Sequence, residues 1–156
     1  MWKEGGEAQP ITPKPEAKKP EPPKVVLSST EAKALVEAAI RRQLKKPEGE
    51  LTKEDLEKVT TLYLGLNQLT DVPKGLEKLT PLEKLDLEGN QLTDVKSLEK
   101  LDQLTKLDLD SNHLTDVKGL EKLTQLTELD LRYNRLTDLT GLERLTQLED
   151  LFLRSF

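Results

Sequence analysis

The sequence has no cysteine, one histidine, two tyrosines, two phenylalanines and one tryptophan. Without cysteine, the chain forms no disulfide, binds no metal through thiolates and has no cysteine nucleophile. That absence suits reducing and oxidising compartments equally. Apolar runs all fall short of the roughly 20 residues that a membrane-spanning helix needs, so we expect no membrane insertion. The net charge is only -5, which argues against nucleic acid as a partner.

Leucine, in contrast, is abundant and regularly spaced. From Leu82 a unit of 22 residues recurs as LEKLDLEGNQLTDVKSLEKLDQ, LTKLDLDSNHLTDVKGLEKLTQ and LTELDLRYNRLTDLTGLERLTQ, followed by LEDLFLRSF. An earlier copy starts at Val59 and has one extra residue near Pro73. The pattern LxxLxLxxNxL is that of the leucine-rich repeat, which stacks into solenoids. We therefore predict an α/β repeat fold over residues 59–156, with four units and a truncated fifth.

Each repeat contains a predicted strand and a predicted return segment. Alternation along the strand turns Leu85 and Leu87 inward and leaves Lys84, Asp86 and Glu88 outward. Strands of successive repeats are expected to pair in parallel and to form the concave face. Leucines three residues apart in the return segment predict short helical or 3₁₀ turns on the convex face.

An asparagine follows each predicted strand, at positions 67, 90, 112 and 134. We predict that these side-chain amides are buried and satisfy backbone groups that no strand pairing reaches. None of them begins an N-x-S/T sequon, so a glycan-bearing role is not expected.

The first 58 residues have a different composition. Residues 1–26 are rich in proline, lysine and glutamate, which predicts a solvated, semi-extended linker. A proline-rich ligand for an aromatic groove is the alternative. Residues 27–58 predict a helical N-terminal cap, because the first repeat has no neighbour to cover its leucines. Ser28 with Glu31, and Thr52 with Asp55, each fit a capping box. Membrane-surface binding through Arg41, Arg42, Lys45 and Lys46 is a second interpretation of the first helix.

The repeat run NxLTDVxGLExLTQL resembles the 22-residue repeats of bacterial internalin-like proteins. The segment VEAAIRRQLKKPEGELTKEDLEKVTTLYL resembles the helical N-terminal cap of the same group. The resemblance covers about residues 28–156. It implies a protein-recognition module that uses its concave face, commonly within a surface or envelope protein. The chain departs from that group in showing neither an export signal nor a C-terminal cap.

The outward strand positions predict where a protein partner binds. The middle column, formed by Tyr63, Asp86, Asp108, Asp130 and Phe152, is acidic and flanked by aromatic residues. We expect it to contact a basic segment of the partner, with the aromatic side chains as apolar anchors. The alternative is that the aspartates only keep the face soluble. The predicted partner-binding residues are Tyr63, Lys84, Asp86, Glu88, Lys106, Asp108, Asp110, Glu128, Asp130, Arg132, Tyr133 and Phe152.

Calcium binding and catalysis are weaker interpretations of the same residues. Four aspartates, at positions 86, 108, 110 and 130, could supply carboxylates, but a flat sheet has no loop to surround an ion, so we predict no metal site. His113 and Ser111 lie near Asp108 and Asp110 without a glycine elbow or an oxyanion hole. With no phosphate-binding glycine loop either, we predict neither an enzyme nor a cofactor.

The fifth unit stops early, and Phe156 stands where the asparagine is expected. Leu148, Leu151 and Leu153 then have no repeat above them, which predicts a fragment of a longer protein, end-to-end self-association or fraying of the last strand. A spacer or truncated piece with no ligand of its own is therefore the alternative function. If Met1 is the true start we expect a cytoplasmic protein, and if an upstream signal or lipidation site is missing we expect the cell envelope.

Overall fold

The computed structural model describes residues 27–154, so the predictions for the 1–26 linker and for Phe156 lie outside it. Two helices, α1 (Ser29–Leu44) and α2 (Lys53–Leu56), precede a single five-stranded sheet. Within residues 27–154, no helix is both long and apolar enough to cross a membrane. The strands are β1 (Thr61–Tyr63), β2 (Lys84–Asp86), β3 (Lys106–Asp108), β4 (Glu128–Asp130) and β5 (Asp150–Phe152). The 3₁₀ helices between them are η1 (Leu76–Lys78), η2 (Lys96–Lys100), η3 (Leu120–Lys122) and η4 (Leu142–Arg144).

The sheet is parallel throughout, and its strand order follows the chain from β1 to β5. One register holds across all four pairings, because the sequence period fixes which residues face each other. The leucine row, for example, runs from Leu62 through Leu85 and Leu107 to Leu129 and Leu151. This confirms the predicted solenoid, with strands on one face and 3₁₀ turns returning along the other.

Leucines of adjacent repeats form one continuous core. Leu85, Leu107 and Leu129 are buried in the leucine row, and burying one such side chain contributes about 1.5–3 kcal/mol. Leu151 on β5 is 39% exposed, because among the described residues no further strand covers it. Stability therefore depends on contact between neighbours rather than on a single compact centre.

The helical cap covers the first repeat, as the sequence predicts. Helix α1 begins with the expected capping box, in which Ser28 Oγ accepts the Glu31 amide at 3.2 Å and Glu31 Oε2 accepts the Ser28 amide at 2.7 Å. Its buried residues Val36 and Ile40 join the leucine core, and the helix contacts β1. The second capping box, between Thr52 and Asp55, is also present.

The return segments differ at one position. Glycine precedes η1, η3 and η4 with a positive φ, which reaches 98° at Gly119. Ser97 occupies that position in the second repeat, and there η2 starts one residue earlier, at Lys96. Glycine is needed at Gly119 for a second reason, since an added Cβ would lie 2.6 Å from the Cα of Lys96 in the preceding repeat.

Candidate functional site

Buried asparagines close the strand ends, as predicted. Asn112 Nδ2 donates to the carbonyls of Leu87 at 3.0 Å and Leu109 at 3.1 Å, and its Oδ1 accepts the amide of Leu92 at 3.0 Å. Two of these three partners belong to the preceding repeat, so each amide joins neighbouring units. Asn90 and Asn134 make the equivalent bonds.

The strand-end aspartates have a structural task that the sequence analysis missed. In a regular parallel ladder the Glu88 amide would donate to the Leu64 carbonyl. That carbonyl instead accepts Asn90 Nδ2 at 3.0 Å, and the Glu88 amide donates to Asp86 Oδ1, also at 3.0 Å. The recurring spacing of aspartate four residues before asparagine was the available signal. Asp108 and Asp130 accept the amides of Asp110 and Arg132 in the same way.

The residue before each asparagine has a left-handed backbone. The φ values are 58° at Leu66, 63° at Gly89, 55° at Ser111 and 52° at Tyr133. Only one of the four is glycine, the residue that takes this conformation without a steric penalty. The turn is therefore imposed by the asparagine and aspartate bonds around it, and it sets where Tyr133 stands at the edge of the concave face.

Two predicted contact residues pair with each other across the sheet. Lys106 Nζ on β3 lies 2.5 Å from Glu128 Oε2 on β4. This hydrogen bond raises the pKa of Lys106, and the charge of Glu128 adds to the effect. The pair leaves neither charge fully available to a ligand unless the ligand replaces its partner.

A second pair changes the predicted acidic column. Arg132 Nη2 lies 2.6 Å from Asp130 Oδ2, and Arg132 Cζ lies 5.4 Å from the centre of the Phe152 ring. The hydrogen bond from Asp130 is the main cause that raises the pKa of Arg132. Asp130 is only 7% exposed. The column is therefore not a row of three equivalent aspartates, because Asp130 is already neutralised within its own repeat.

The acidic charge is concentrated one end further along. Carboxylate oxygens of Asp86, Glu88 and Asp108 lie within 4.8 Å of one another. Across residues 27–154, no lysine or arginine forms an ion pair with any of the three. Burial raises the pKa of Asp108 to about 6, and the charges of Asp130 and Asp86 raise it further against a lowering by the Asp110 amide. We call these three residues the acidic cluster.

Exposed aromatic side chains stand at both ends of the middle column. Tyr63 is 63% exposed and faces Asp86 in the strand register, while Phe152 is 41% exposed and faces Asp130. A shallow depression of about 200 Å³ lies between them. Its lining includes Tyr63, Lys84, Asp86, Lys106, Asp108, Glu128 and Asp130. The structure thus brings seven of the twelve predicted contact residues to one surface.

The remaining interpretations fare differently. The proposed calcium ligands are not assembled as a set, since Asp130 pairs with Arg132 and Asp110 Oδ1 accepts the Ser111 hydroxyl at 3.1 Å. Three carboxylates on a flat sheet offer fewer oxygens than the six to eight that calcium takes. Because the Ser111 hydroxyl donates to a carboxylate, it is not aligned on a histidine base as a nucleophile would be.

Comparison with known proteins agrees with this architecture. A leucine-rich repeat family model matches residues 57–114, and a second model of two leucine-rich repeats matches residues 102–144. Among the curated proteins, none matches the chain.

Solved structures of internalins from Listeria monocytogenes are similar to this chain. The internalin InlF has a TM-score of 0.66 and 36% identity over 74% of this chain and 34% of its own. Internalin C2 has a TM-score of 0.58 and 26% identity over 76% of this chain and 63% of its own. The functional domain of InlJ, which includes a cysteine ladder, has a TM-score of 0.56 and 26% identity over 69% of this chain and 22% of its own.

This chain thus spans about a third of the length of InlF and less than two thirds of the other two. Its repeats, its parallel sheet and these relatives together identify it as a leucine-rich repeat protein of the bacterial internalin-like type.

Proposed function

We propose that this solenoid is a protein-interaction module that binds its partner on the concave face. The observation that carries the proposal is the acidic cluster of Asp86, Glu88 and Asp108, which has no ion-pair partner among the described residues and lies beside the exposed Tyr63 ring. Three neighbouring carboxylates repel one another, so a partner that brings positive charge gains more here than on a mixed surface. Aromatic rings next to such charge are frequent anchors of protein interfaces.

The rigidity of the surface supports this function. Five strands share one register, and the asparagine and aspartate bonds hold each strand end in place. A preorganised surface loses little conformational entropy when it binds, which favours affinity. The chain's membership of the internalin-like group points to the same class of function.

The test uses two variants that each remove three negative charges. The concave variant carries Asp86→Asn, Glu88→Gln and Asp108→Asn, and its amides retain an oxygen that accepts the backbone bonds at Asp86 and Asp108. The control variant carries Glu48→Gln, Glu54→Gln and Asp102→Asn, all at exposed positions away from the sheet. Immobilised wild type and control should capture the same protein from a bacterial or host extract, and the concave variant should lose it. Equal capture by all three would refute the concave-face assignment.

The alternative function, a spacer without a ligand, makes the opposite prediction. A spacer needs the stacked core but not the surface chemistry, so the concave and control variants should behave alike in every assay. Reproducible enrichment of one protein by wild type, and its loss from the concave variant alone, separates the module from the spacer.

End-to-end self-association is a further contact that we propose for this chain. Leu151, Phe152 and Leu153 are each about 40% exposed at the β5 edge, and exposed apolar edge strands favour pairing. Light scattering should then show a mass above 17.6 kDa that falls towards this monomer value when Leu153→Lys is introduced. A monomeric wild type at high concentration would contradict this contact.

A further inference from the structure

The β4–β5 end of the concave face already shows how this surface holds a guanidinium. The Arg132 side chain donates to both oxygens of Asp130 at 2.6–3.0 Å and lies over the Phe152 ring on the neighbouring strand. Carboxylate and ring face each other in the strand register, one strand spacing apart. An anion and an aromatic face in this arrangement together favour a planar cation.

The β1–β2 end contains the same pair without the cation. Tyr63 faces Asp86 in the register, just as Phe152 faces Asp130. The residue equivalent to Arg132 is Glu88 in this repeat and Gly65 in the preceding one. A Cβ added at Gly65 would lie 3.0 Å from Asp86 Oδ1, so the absence of a side chain there leaves the carboxylate reachable beside the ring.

The charge balance at this end is also open. Glu88 and Asp108 bring their carboxylates to within 4.8 Å of Asp86. Lys106, on the adjoining column, is already paired with Glu128 at 2.5 Å. A cation seated here would meet three carboxylates, and their mutual repulsion would be relieved on binding.

We propose that Tyr63, Asp86, Glu88 and Asp108 form a seat for one arginine side chain of an extended segment of the partner protein. The inference rests on the proposed function, because it assumes that the concave face is the binding surface. Arginine fits better than lysine, since a guanidinium stacks on the Tyr63 ring while its edge donates to carboxylates in the plane. Lysine offers a point charge and no plane.

The probe is a blocked peptide, acetyl-Gly-Ser-Arg-Ser-Gly-amide, titrated into ¹⁵N-labelled protein of the full 156 residues. Lysine and citrulline versions are the matched probes, because citrulline keeps the shape of arginine without its charge. The amide signals of Gly65 and Glu88 should shift with the arginine peptide. The citrulline peptide should bind at least about tenfold more weakly, and the lysine peptide should fall between them. Equal binding of arginine and citrulline peptides would overturn the proposal.

Two variants test the seat itself. Glu88→Arg places a guanidinium two residues after Asp86, as Arg132 follows Asp130, and should fill the seat and abolish peptide binding. Tyr63→Ala removes the ring and should weaken the arginine peptide more than the lysine peptide. Unchanged arginine binding in Glu88→Arg would show that the peptide lies elsewhere. A melting curve for each variant checks that the fold persists.

A calcium titration completes the design. Shifts at Gly65 and Glu88 with calcium chloride, together with no shifts from the arginine peptide, would make the acidic cluster a cation site and overturn the seat. Failure of the peptide while the concave variant still loses its captured protein would overturn this inference alone. Failure of both experiments would remove the proposed function as well.

Discussion

Asn112 donates its side-chain amide to the carbonyl of Leu87 in the preceding repeat at 3.0 Å, inside the leucine core. The bond recurs from repeat to repeat, and the described buried polar side-chain atoms all have a partner. Stacking here therefore depends on polar contacts as well as on leucine burial.

Asn112→Ala should lower the free energy of unfolding by about 3 kcal/mol, because backbone groups inside the core lose their partners. Asn67→Ala is the matched control, since Asn67 is only half-buried and donates a single bond, to the Gly65 carbonyl. We expect a loss of about 1 kcal/mol there. Urea denaturation followed by circular dichroism measures both. Equal losses would mean that the asparagine bonds do not hold the repeats together.

Gly119→Ala should destabilise the chain by about 3 kcal/mol, through the left-handed backbone and through overlap with the Cα of Lys96. Gly75→Ala separates these two causes. Gly75 has a similar φ of 106°, but a Cβ there would meet nothing within 4 Å. It should lose only the conformational part, about 1 kcal/mol. If the two variants melt at the same temperature, close approach between repeats is not the reason for glycine at position 119.

Stability should increase as the pH falls from about 6 to 4. The pKa of Asp108 is raised to about 6 in the folded chain, whereas an unfolded aspartate titrates near 4. The folded state thus binds a proton in this window that the unfolded state does not, so protonation favours folding. Since Asp108 is only half-buried, we expect a gain of about 1 kcal/mol between pH 7 and pH 5.

Asp108→Asn is the variant that isolates this titration. It removes the charge, retains an acceptor for the Asp110 amide, and should be more stable than wild type at pH 7 but not at pH 4. Thermal melts of both proteins across this range provide the measurement. A variant that gains stability equally at both pH values would assign the effect to another group.

Below pH 4 the opposite trend should appear at the helical cap. The hydrogen bond from Lys46 and the Thr52 amide lower the pKa of Asp55 to about 2. Its contribution is present above the unfolded pKa and is lost as the pH falls from about 4 to 2. Amide exchange in α2 should accelerate over this range in wild type and much less in Asp55→Asn. Acceleration that is identical in both proteins would exclude Asp55 as the cause.

The register and the helix starts were predictable because both follow short-range rules. A constant repeat length places Tyr63, Asp86 and Asp108 in one row, and the capping pairs at Ser28 and Thr52 need only local geometry. The division of the chain into a linker, a cap and a repeat domain stays a prediction.

The pairing of charges was not predictable, because it depends on side-chain conformation rather than on period. Asp86 and Asp130 occupy equivalent positions, yet only Asp130 has a guanidinium beside it, since residue 132 is arginine where residue 88 is glutamate. The left-handed turns at Leu66 and Tyr133 were missed because neither residue type signals that conformation. The partner-binding role of the concave residues remains a proposal.

The single register shared by all five strands makes the concave face a ruler. Tyr63 and Phe152 belong to the same row and are separated by four strand spacings, about 19 Å along the sheet. Inserting or deleting one 22-residue unit would lengthen or shorten that distance by about 4.8 Å and leave the chemistry of every other row unchanged. Selection for a longer or shorter ligand can therefore act on the number of units, with no need to redesign the surface that reads it.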